Sequence, residues 1–534
     1  MTFEDLIGLA NEYIWSLPLV GLCLLAGLYF TLRTGLLQVR GIPDMLAQLK
    51  NGEKSPDGTS SFQSLMMSLA GRVGMGNIGG VATAIAFGGP GAVFWMWTVA
   101  FLGAATSFIE CTLGQIYKEK DKDTGEYRGG PAYYFEKAYR HTGAAGFMKV
   151  YAIVFAIVTV FAMSFFLPGV QANGMAVSME EAWGFPTWGV AVGAVILLAF
   201  IVIGGVKRIA TFAVIVVPVM AVLYIILALV VFFVNFRQIP EVFGLIFSSA
   251  FGMHSVFGAI LGLAVQMGVK RGIYSNEAGQ GTGPHAAAAA EVSHPAKQGY
   301  AQAFAVYIDT LFVCSATAFI VLSTGMYRVY EGGSTDTPVL FEGNLGTDVR
   351  VGPTFVQNGF DTVFTGFGPT FVAVALAFFA FTTIVAYYYM AEVNLSYLVR
   401  GIHNTTLRRA ALRALQGLIL VSVAYGAVTT TGAAWGLGDI GVGAMAWLNI
   451  VGILIVQGPA LKALKDYQAQ KKRGLDPQFD PRTVGIRNAE FWELRADGFA
   501  RQGMTGAEVH AEAAAAETGS LSTDVHRDGG SHRA

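Results

Sequence analysis

The chain has 534 residues, of which 54% are hydrophobic and 13% charged, about half the charged share of a soluble domain. So little polar surface excludes a soluble multidomain protein and predicts membrane helices with lipid as their outer solvent. The net charge of −1 excludes nucleic acid as a partner, and the 66 Gly follow no Gly-X-Y period, which excludes collagen.

The N-terminus, MTFEDLIGLANEY, is acidic and lacks the basic start of a signal peptide. The first apolar run is therefore expected to be a membrane helix. Runs near 20 residues predict eleven helices, at 13–32, 62–87, 91–114, 148–172, 187–204, 211–234, 252–271, 300–325, 368–392, 412–430 and 436–458. An amphipathic helix is expected at 279–292. Lys and Arg favour one set of loops, including Arg33, Arg40, Lys118, Lys137, Arg140, Lys297, Arg408 and Arg409. The opposite loops hold Arg237, Arg328 and Arg350. The asymmetry predicts an N-terminus outside and a C-terminus inside. The chain then divides into an outer start, extra helix and inner loop (1–61), two helix sets (62–234 and 235–458) and a polar tail (459–534). The outer loop 327–366 carries Phe341, Phe355 and Phe360, which predicts some ordered structure in it. Beyond about Pro477 the chain turns polar, and the low-complexity stretch 511–534 reads as a disordered cytoplasmic tail, with His526 and His532 incidental.

The second helix contains AGRVGMGNIGG, from Ala70 to Gly80. Five glycines weaken its centre, Asn77 is polar there, and Arg72 is charged near mid-depth. One reading is a small-residue packing face. The other is an unwound segment around Val73–Asn77, whose free N–H groups suit an anion and whose free C=O groups suit a cation. The seventh helix, FGAILGLAVQMGVKRG, is interrupted in the same way. A break at Gly272–Gly283 would draw Lys270 and Arg271 into the bilayer. A break at Leu261–Gln266 leaves them at the inner interface and is the one expected. Helices two to six and seven to eleven then form two sets of five. Each set opens with a broken helix, and the odd number inverts the second relative to the first. Paired broken helices in inverted repeats point to a secondary-transporter site.

Other residues have plainer readings. Cys23, Cys111 and Cys314 lie in apolar runs without CxxC spacing and read as packing residues. His254, His285 and His294 have no ligand spacing and read as structural. Asn276 and Glu277 are expected to cap the helix that follows them. Glu110 is either an interface residue or the partner of Arg72 in an inner-gate ion pair. No Ser/His/Asp set, HExxH or Walker Lys-Ser/Thr is present, so an enzyme is not expected.

GRVGMGNIGGVATAIAFGGPGAVFWMW (71–97), GEYRGGPAYYFEKA (125–138) and VKRGIYSNEAGQGTGPHAAAAAEVSHPAKQG (269–299) resemble the alanine-or-glycine:cation symporter family, as do VQAN (170–173) and FAFTTI (379–384). The resemblance covers about residues 13–460. It implies an all-α polytopic membrane protein with the leucine-transporter-type five-plus-five inverted repeat and one extra N-terminal helix. It also implies inward movement of alanine or glycine with sodium, sometimes with protons, across a bacterial cytoplasmic membrane.

By that resemblance, Gly74, Met75, Gly76 and Asn77 would hold the substrate carboxylate, with Gln171 reaching into the same cavity. Phe257, Leu261, Gly262 and Gln266 would form the other wall. Sodium would take carbonyls of Ala70, Val73 and Phe379 with the hydroxyls of Thr382 and Thr383; the alternative for both threonines is back-bonding to the preceding turn. Most members carry Thr at the Met75 position and Trp at the Tyr387 position. Both would touch the pocket, alongside Thr383, so these departures imply an altered affinity or side-chain preference. A passive small-solute channel and a non-transporting amino-acid sensor are the competing classes.

Overall fold

In hydrocarbon every peptide group must be paired within its own segment, so long apolar runs become helices. The computed structural model describes residues 3–49, 58–121, 124–202, 206–346 and 348–501. Among them, seven helices are long and apolar enough to cross a membrane: Gly91–Ile116, Ala145–Trp183, Ile215–Val234, Pro295–Thr324, Gly368–Val399, Thr405–Val428 and Thr431–Val456. Phe3–Ile14 and Leu17–Arg33 make an eighth if taken as one span bent by 43°. Thr187–Val202 is apolar but shorter. Two further stretches, 61–88 and 261–289, are each a pair of half-helices around a break. Large apolar side chains face outward on several spans, including Trp188, Ile196, Ile215 and Phe233, as a lipid-facing surface requires.

Helix ends follow local chemistry. Ser60 and Gln63 form a reciprocal capping box that starts the Ser61–Arg72 helix. Asn404 and Thr430 cap the helices that follow them. The helix expected at 148–172 runs on to Trp183, because the polar residues after Gln171 are buried or lie at its end. It crosses the Thr405–Val428 helix where Gly169 meets Gly426. A Cβ on Gly426 would lie 2.2 Å from the Gly169 Cα, so the two backbones touch. The bent N-terminal pair packs on Thr431–Val456. Asn11 Nδ2 donates to the Gly436 carbonyl (2.8 Å) and Trp15 Nε1 to the Asp439 carbonyl (2.8 Å).

The segment 327–366 holds a small hairpin, Arg328–Tyr330 against Val339–Glu342, and a helix, Pro353–Asp361. The amphipathic helix expected at 279–292 is instead Gly283–Ala289, with every residue buried. It is the second half of a broken helix.

The described part of the polar tail is ordered. Residues 475–501 fold back over one end of the bundle and finish in the helix Glu490–Arg501. Phe479, Ile486, Ala489 and Trp492 bury an apolar face. Trp492 Nε1 donates to the Gln115 carbonyl (2.9 Å), Asn488 Nδ2 to the Lys137 carbonyl (2.9 Å) and the Phe479 amide to the Ser293 carbonyl (3.1 Å). The Lys118 ammonium sits over the rings of Tyr127 (4.3 Å) and Phe491 (4.4 Å). Residues 502–534, with His526 and His532, lie outside the described residues.

This strap has two testable consequences. Trp492→Ala is expected to cost on the order of 3 kcal/mol and to expose 475–501 to protease; unchanged resistance in limited proteolysis would contradict the packing. The strap should also loosen in acid. Burial pushes the Glu291 carboxyl up, but Lys118 and Arg495 outweigh it and hold it below the ordinary glutamate range. Lys137 and Arg140 do the same against burial at Glu490. A depressed folded value means the stabilisation is present at neutral pH. It is lost as the pH falls through the ordinary glutamate range and below. The same proteolysis, run at descending pH, should show cleavage appearing in that window.

Candidate functional site

The first broken helix loses its hydrogen-bond ladder at Val73 and Gly74. Val73 adopts an extended conformation (ψ 97°) and Gly76–Gly80 forms a wide π turn. In a continuous helix the Ala70 carbonyl would accept from the Gly74 amide, and the Val73 carbonyl from the Asn77 amide. Here the Gly74 amide donates to Asn77 Oδ1 (2.8 Å) and the Asn77 amide to the Gly74 carbonyl (3.2 Å). The carbonyls of Ala70 and Val73 are thereby released. The Met75 amide donates to Gln171 Oε1 (2.8 Å). A Cβ on Gly74 would lie 2.6 Å from Thr383 Oγ1 and 2.7 Å from Gln171 Oε1. Only glycine lets the chain approach both helices there.

The released carbonyls converge on Thr383. Its Oγ1 lies 2.9 Å from the Ala70 carbonyl, 3.2 Å from Val73 and 2.9 Å from Phe379. A hydroxyl has one hydrogen and satisfies one of the three. The rest is a surplus of oxygen lone pairs, which is the shell a hard cation takes. Thr382 bonds to neither released carbonyl. Its Oγ1 back-bonds to Phe378 (3.0 Å) and Phe379 (2.9 Å), the plainer of the two readings. The buried Tyr387 phenol lies beside the Gln171 side chain, as does that of Tyr274.

The second break lies elsewhere than expected. Leu261–Asn276 is one continuous helix. The chain then turns through Glu277 (φ 58°), Gly279 (φ 84°) and Gly281 (φ 86°) before Gly283–Ala289. The expectation placed Lys270 and Arg271 at an interface to keep charge out of the bilayer. Their countercharge is Asp439, in Thr431–Val456. Lys270 Nζ lies 2.7 Å from its Oδ2, and Arg271 binds both oxygens at 2.7 and 3.1 Å. The Arg271 guanidinium also stacks 4.1 Å over the Trp435 ring.

The expected wall residues therefore sit at the far end of this helix. Leu261 is exposed and Gly262 faces open space. Gln266 donates to the Trp15 carbonyl (2.8 Å), and Phe257 packs on His254 and Phe341. None of the four meets Gly74–Asn77. Tyr274 and Ser275 do: a Cβ on Gly76 would lie 3.1 Å from Tyr274 and 3.2 Å from Ser275. Asn276 and Glu277 do not cap the next helix. The Asn276 side chain accepts from the Ala278 amide (3.0 Å), and Thr282 donates to Glu277 Oε2 (2.9 Å).

Arg72 is buried and donates to the Gln302 carbonyl (3.1 Å), with Glu277 Oε2 4.0 Å from its Nε. Glu110 accepts from the Gly279 amide (3.2 Å) and from Asn449 Nδ2 (2.7 Å). Glu277 thus stands where the ion-pair alternative for Glu110 had its acid, while Glu110 ties the second break to Thr431–Val456. His285 and His294 hold backbone and side-chain partners, consistent with structural roles. Asp309 was not anticipated. Its carboxylate accepts from Asn77 Nδ2 (2.6 Å), Ser275 Oγ (2.8 Å) and Thr310 Oγ1 (2.7 Å). A lone acid inside FAVYIDTLFVC was the available signal.

A profile of the family described as "Sodium:alanine symporter family" matches residues 1–481. The chain belongs to the sodium:alanine symporter family. It is 52% identical to the "Putative sodium/proton-dependent alanine carrier protein YrbD" of Bacillus subtilis (strain 168), covering 92% of this chain and 97% of the relative. It is 48% identical to the "Sodium/proton-dependent alanine carrier protein" of Bacillus sp. (strain PS3), over 84% and 97% of the two chains. It is 35% identical to the "Sodium/alanine symporter AgcS" of Methanococcus maripaludis, over 88% and 99%. This sodium:alanine symporter family member is accordingly a multi-pass membrane transporter and not an enzyme.

Met75 occupies a glycine-lined slot. A Cβ on Gly174 would lie 2.2 Å from Met75 Sδ, and one on Gly79 2.2 Å from Met75 Cε. Gly174→Ala is expected to destabilise by about 2 kcal/mol through overpacking. Adding Met75→Thr should reduce that penalty. A double-mutant cycle on melting temperature checks this, and additive effects would place the Met75 side chain elsewhere.

Proposed function

We propose that this protein moves alanine, with glycine as a second substrate, into the cell together with sodium by alternating access. The observation that carries the reading is the meeting of the released Ala70 and Val73 carbonyls on Thr383, beside the amides of Gly74 and Met75. One turn of unwound backbone thus offers a cation shell and an anion cradle side by side.

In this reading sodium takes oxygens of Ala70, Val73, Phe379 and Thr383. The substrate carboxylate displaces the side-chain acceptors from the Gly74 and Met75 amides, with Gly76, Asn77 and Gln171 completing its contacts. Tyr274, Ser275 and Tyr387 form the other wall in place of Phe257, Leu261, Gly262 and Gln266. A phenol at Tyr387 and a small Ser275 suit a short neutral side chain.

The eleven spans are the bent pair, the short helix, the two broken helices and the seven long ones. Residues 62–234 and 235–458 form the two inverted repeats. The N-terminus faces outside, so Arg271–Asp439 lies on the outer route and Arg72–Glu277 on the inner one, with Glu110 bracing it. Unpartnered polar atoms of Gln302 and Glu277 beside Arg72 suit an inner route that hydrates on opening. Sodium drives transport only through different affinities in the two states. Two of the relatives pair sodium with protons in their names; here sodium is assigned to Thr383.

The test is equilibrium binding of labelled L-alanine to purified protein in sodium or potassium, with glycine and D-alanine as competitors. Sodium-dependent binding displaced by glycine supports the reading. Binding indifferent to sodium opposes it.

A further inference from the structure

Asp309 stands in the wide π stretch Tyr307–Cys314, where Pro295–Thr324 passes both broken helices. The carboxylate is fully buried and joins three elements: Asn77 from the first broken helix, Ser275 from the second and Thr310 from its own. Among the described residues no cation touches it. The charged and titratable groups around it are Arg72 from the first broken helix, Glu277 from the second, Cys314 on its own helix and Tyr387 from Gly368–Val399. Arg72 is the only cation among them, and it also faces Glu277 and Glu110. Three buried carboxylates, Glu110, Glu277 and Asp309, share one guanidinium among the described residues here. Charge this unbalanced in a low dielectric is costly unless a cation or a proton joins it.

We infer that Asp309 is a second cation site, occupied by a proton that is taken up when the amino acid binds. This rests on the symport reading and adds a coupling group to it. Asn77 is the link. Its Oδ1 holds the Gly74 amide of the carboxylate cradle, and its Nδ2 holds Asp309 Oδ1 (2.6 Å). A substrate carboxylate at Gly74 therefore arrives one side chain away from a second carboxylate. Like charges so placed in a low dielectric disfavour each other, and a proton on Asp309 relieves the conflict. The surroundings suit a proton better than sodium. The Asn77 amide presents N–H to the carboxylate. Cys314 Sγ lies 3.1 Å from Ser275 Oγ and 3.4 Å from Asn77 Nδ2. A hard cation needs a shell of oxygens, and an N–H donor and a thiol are poor members of one.

The experiment measures proton uptake on adding L-alanine to purified protein in weakly buffered, sodium-saturated solution with a pH indicator. Bound alanine is counted in parallel. Wild type should take up about one proton per alanine where Asp309 is otherwise ionised, and its alanine affinity should fall about tenfold per pH unit there. Asp309→Asn should take up none per alanine bound. Asp309→Glu should retain uptake with a displaced pH midpoint, which decides the matter if the Asn variant binds no alanine. Unchanged uptake in Asp309→Asn, or an undisplaced midpoint in Asp309→Glu, overturns the assignment. So does wild-type binding that takes up no proton; dependence on the square of sodium concentration in a separate sodium titration would then give the site to sodium. Wild type that binds no alanine at all fails the symport reading itself.

Discussion

Thr383→Ala is expected to abolish sodium-driven alanine accumulation while leaving the protein folded. Among the described residues, the Thr383 hydroxyl is the side-chain oxygen that meets all three carbonyls of Ala70, Val73 and Phe379. On the proposed sodium site, its loss would remove a ligand and leave a methyl group in the shell. A weakening of apparent sodium affinity by at least about tenfold corresponds to about 1.4 kcal/mol, a modest value for one ligand. Thr383→Ser keeps the oxygen and should keep most of the coupling. Thr382→Ala is the informative neighbour. Its hydroxyl is turned to Phe378 and Phe379 on its own helix, so sodium dependence should survive there. Sodium titration of uptake for the three variants separates the positions. Equal losses at 382 and 383 would mean that helix packing, rather than ligation, accounts for both.

Asp439→Asn is expected to be the most damaging single substitution for stability. One carboxylate neutralises both Lys270 and Arg271, all three side chains being largely buried. Removing it strands two cations, at a cost of about 3–5 kcal/mol for a broken buried pair. The yield of monodisperse protein and its melting temperature in detergent should both fall sharply. Removing the charges together by Asp439→Leu with Lys270→Met and Arg271→Met should recover much of the loss, because no buried charge is then left without a partner. A mild Asp439→Asn would imply that water reaches Lys270 and Arg271.

The first break could be read from the chain because its causes are local. Glycines, Asn77 and Arg72 fall within eleven residues, and the freed carbonyls follow from backbone geometry. The second break could not be placed because its decisive fact is remote. Lys270 and Arg271 sit inside the bundle on account of Asp439, well over a hundred residues further on, and single-segment hydropathy has no access to that pairing. YSNEAGQGTG was visible as a motif, but the charges before it argued the wrong way. Asp309 was legible, because an acid in the middle of an apolar span is costly without partners, but its partners Asn77 and Ser275 lie on other helices. The strap was lost for a different reason. Its low-complexity continuation masked an apolar face carried by Phe479, Ile486 and Trp492. The direction of Met75 depends on Gly174 in another helix, so no reading of its own segment reveals it.

Uptake of labelled alanine into proteoliposomes, with and without an inward sodium gradient at fixed membrane potential, tests the central claim most directly. The account predicts accumulation above the external concentration only with the sodium gradient, collapsing in Thr383→Ala. Alanine entry that merely equilibrates, at a rate indifferent to sodium, would contradict it and indicate a passive pathway through the same broken helices.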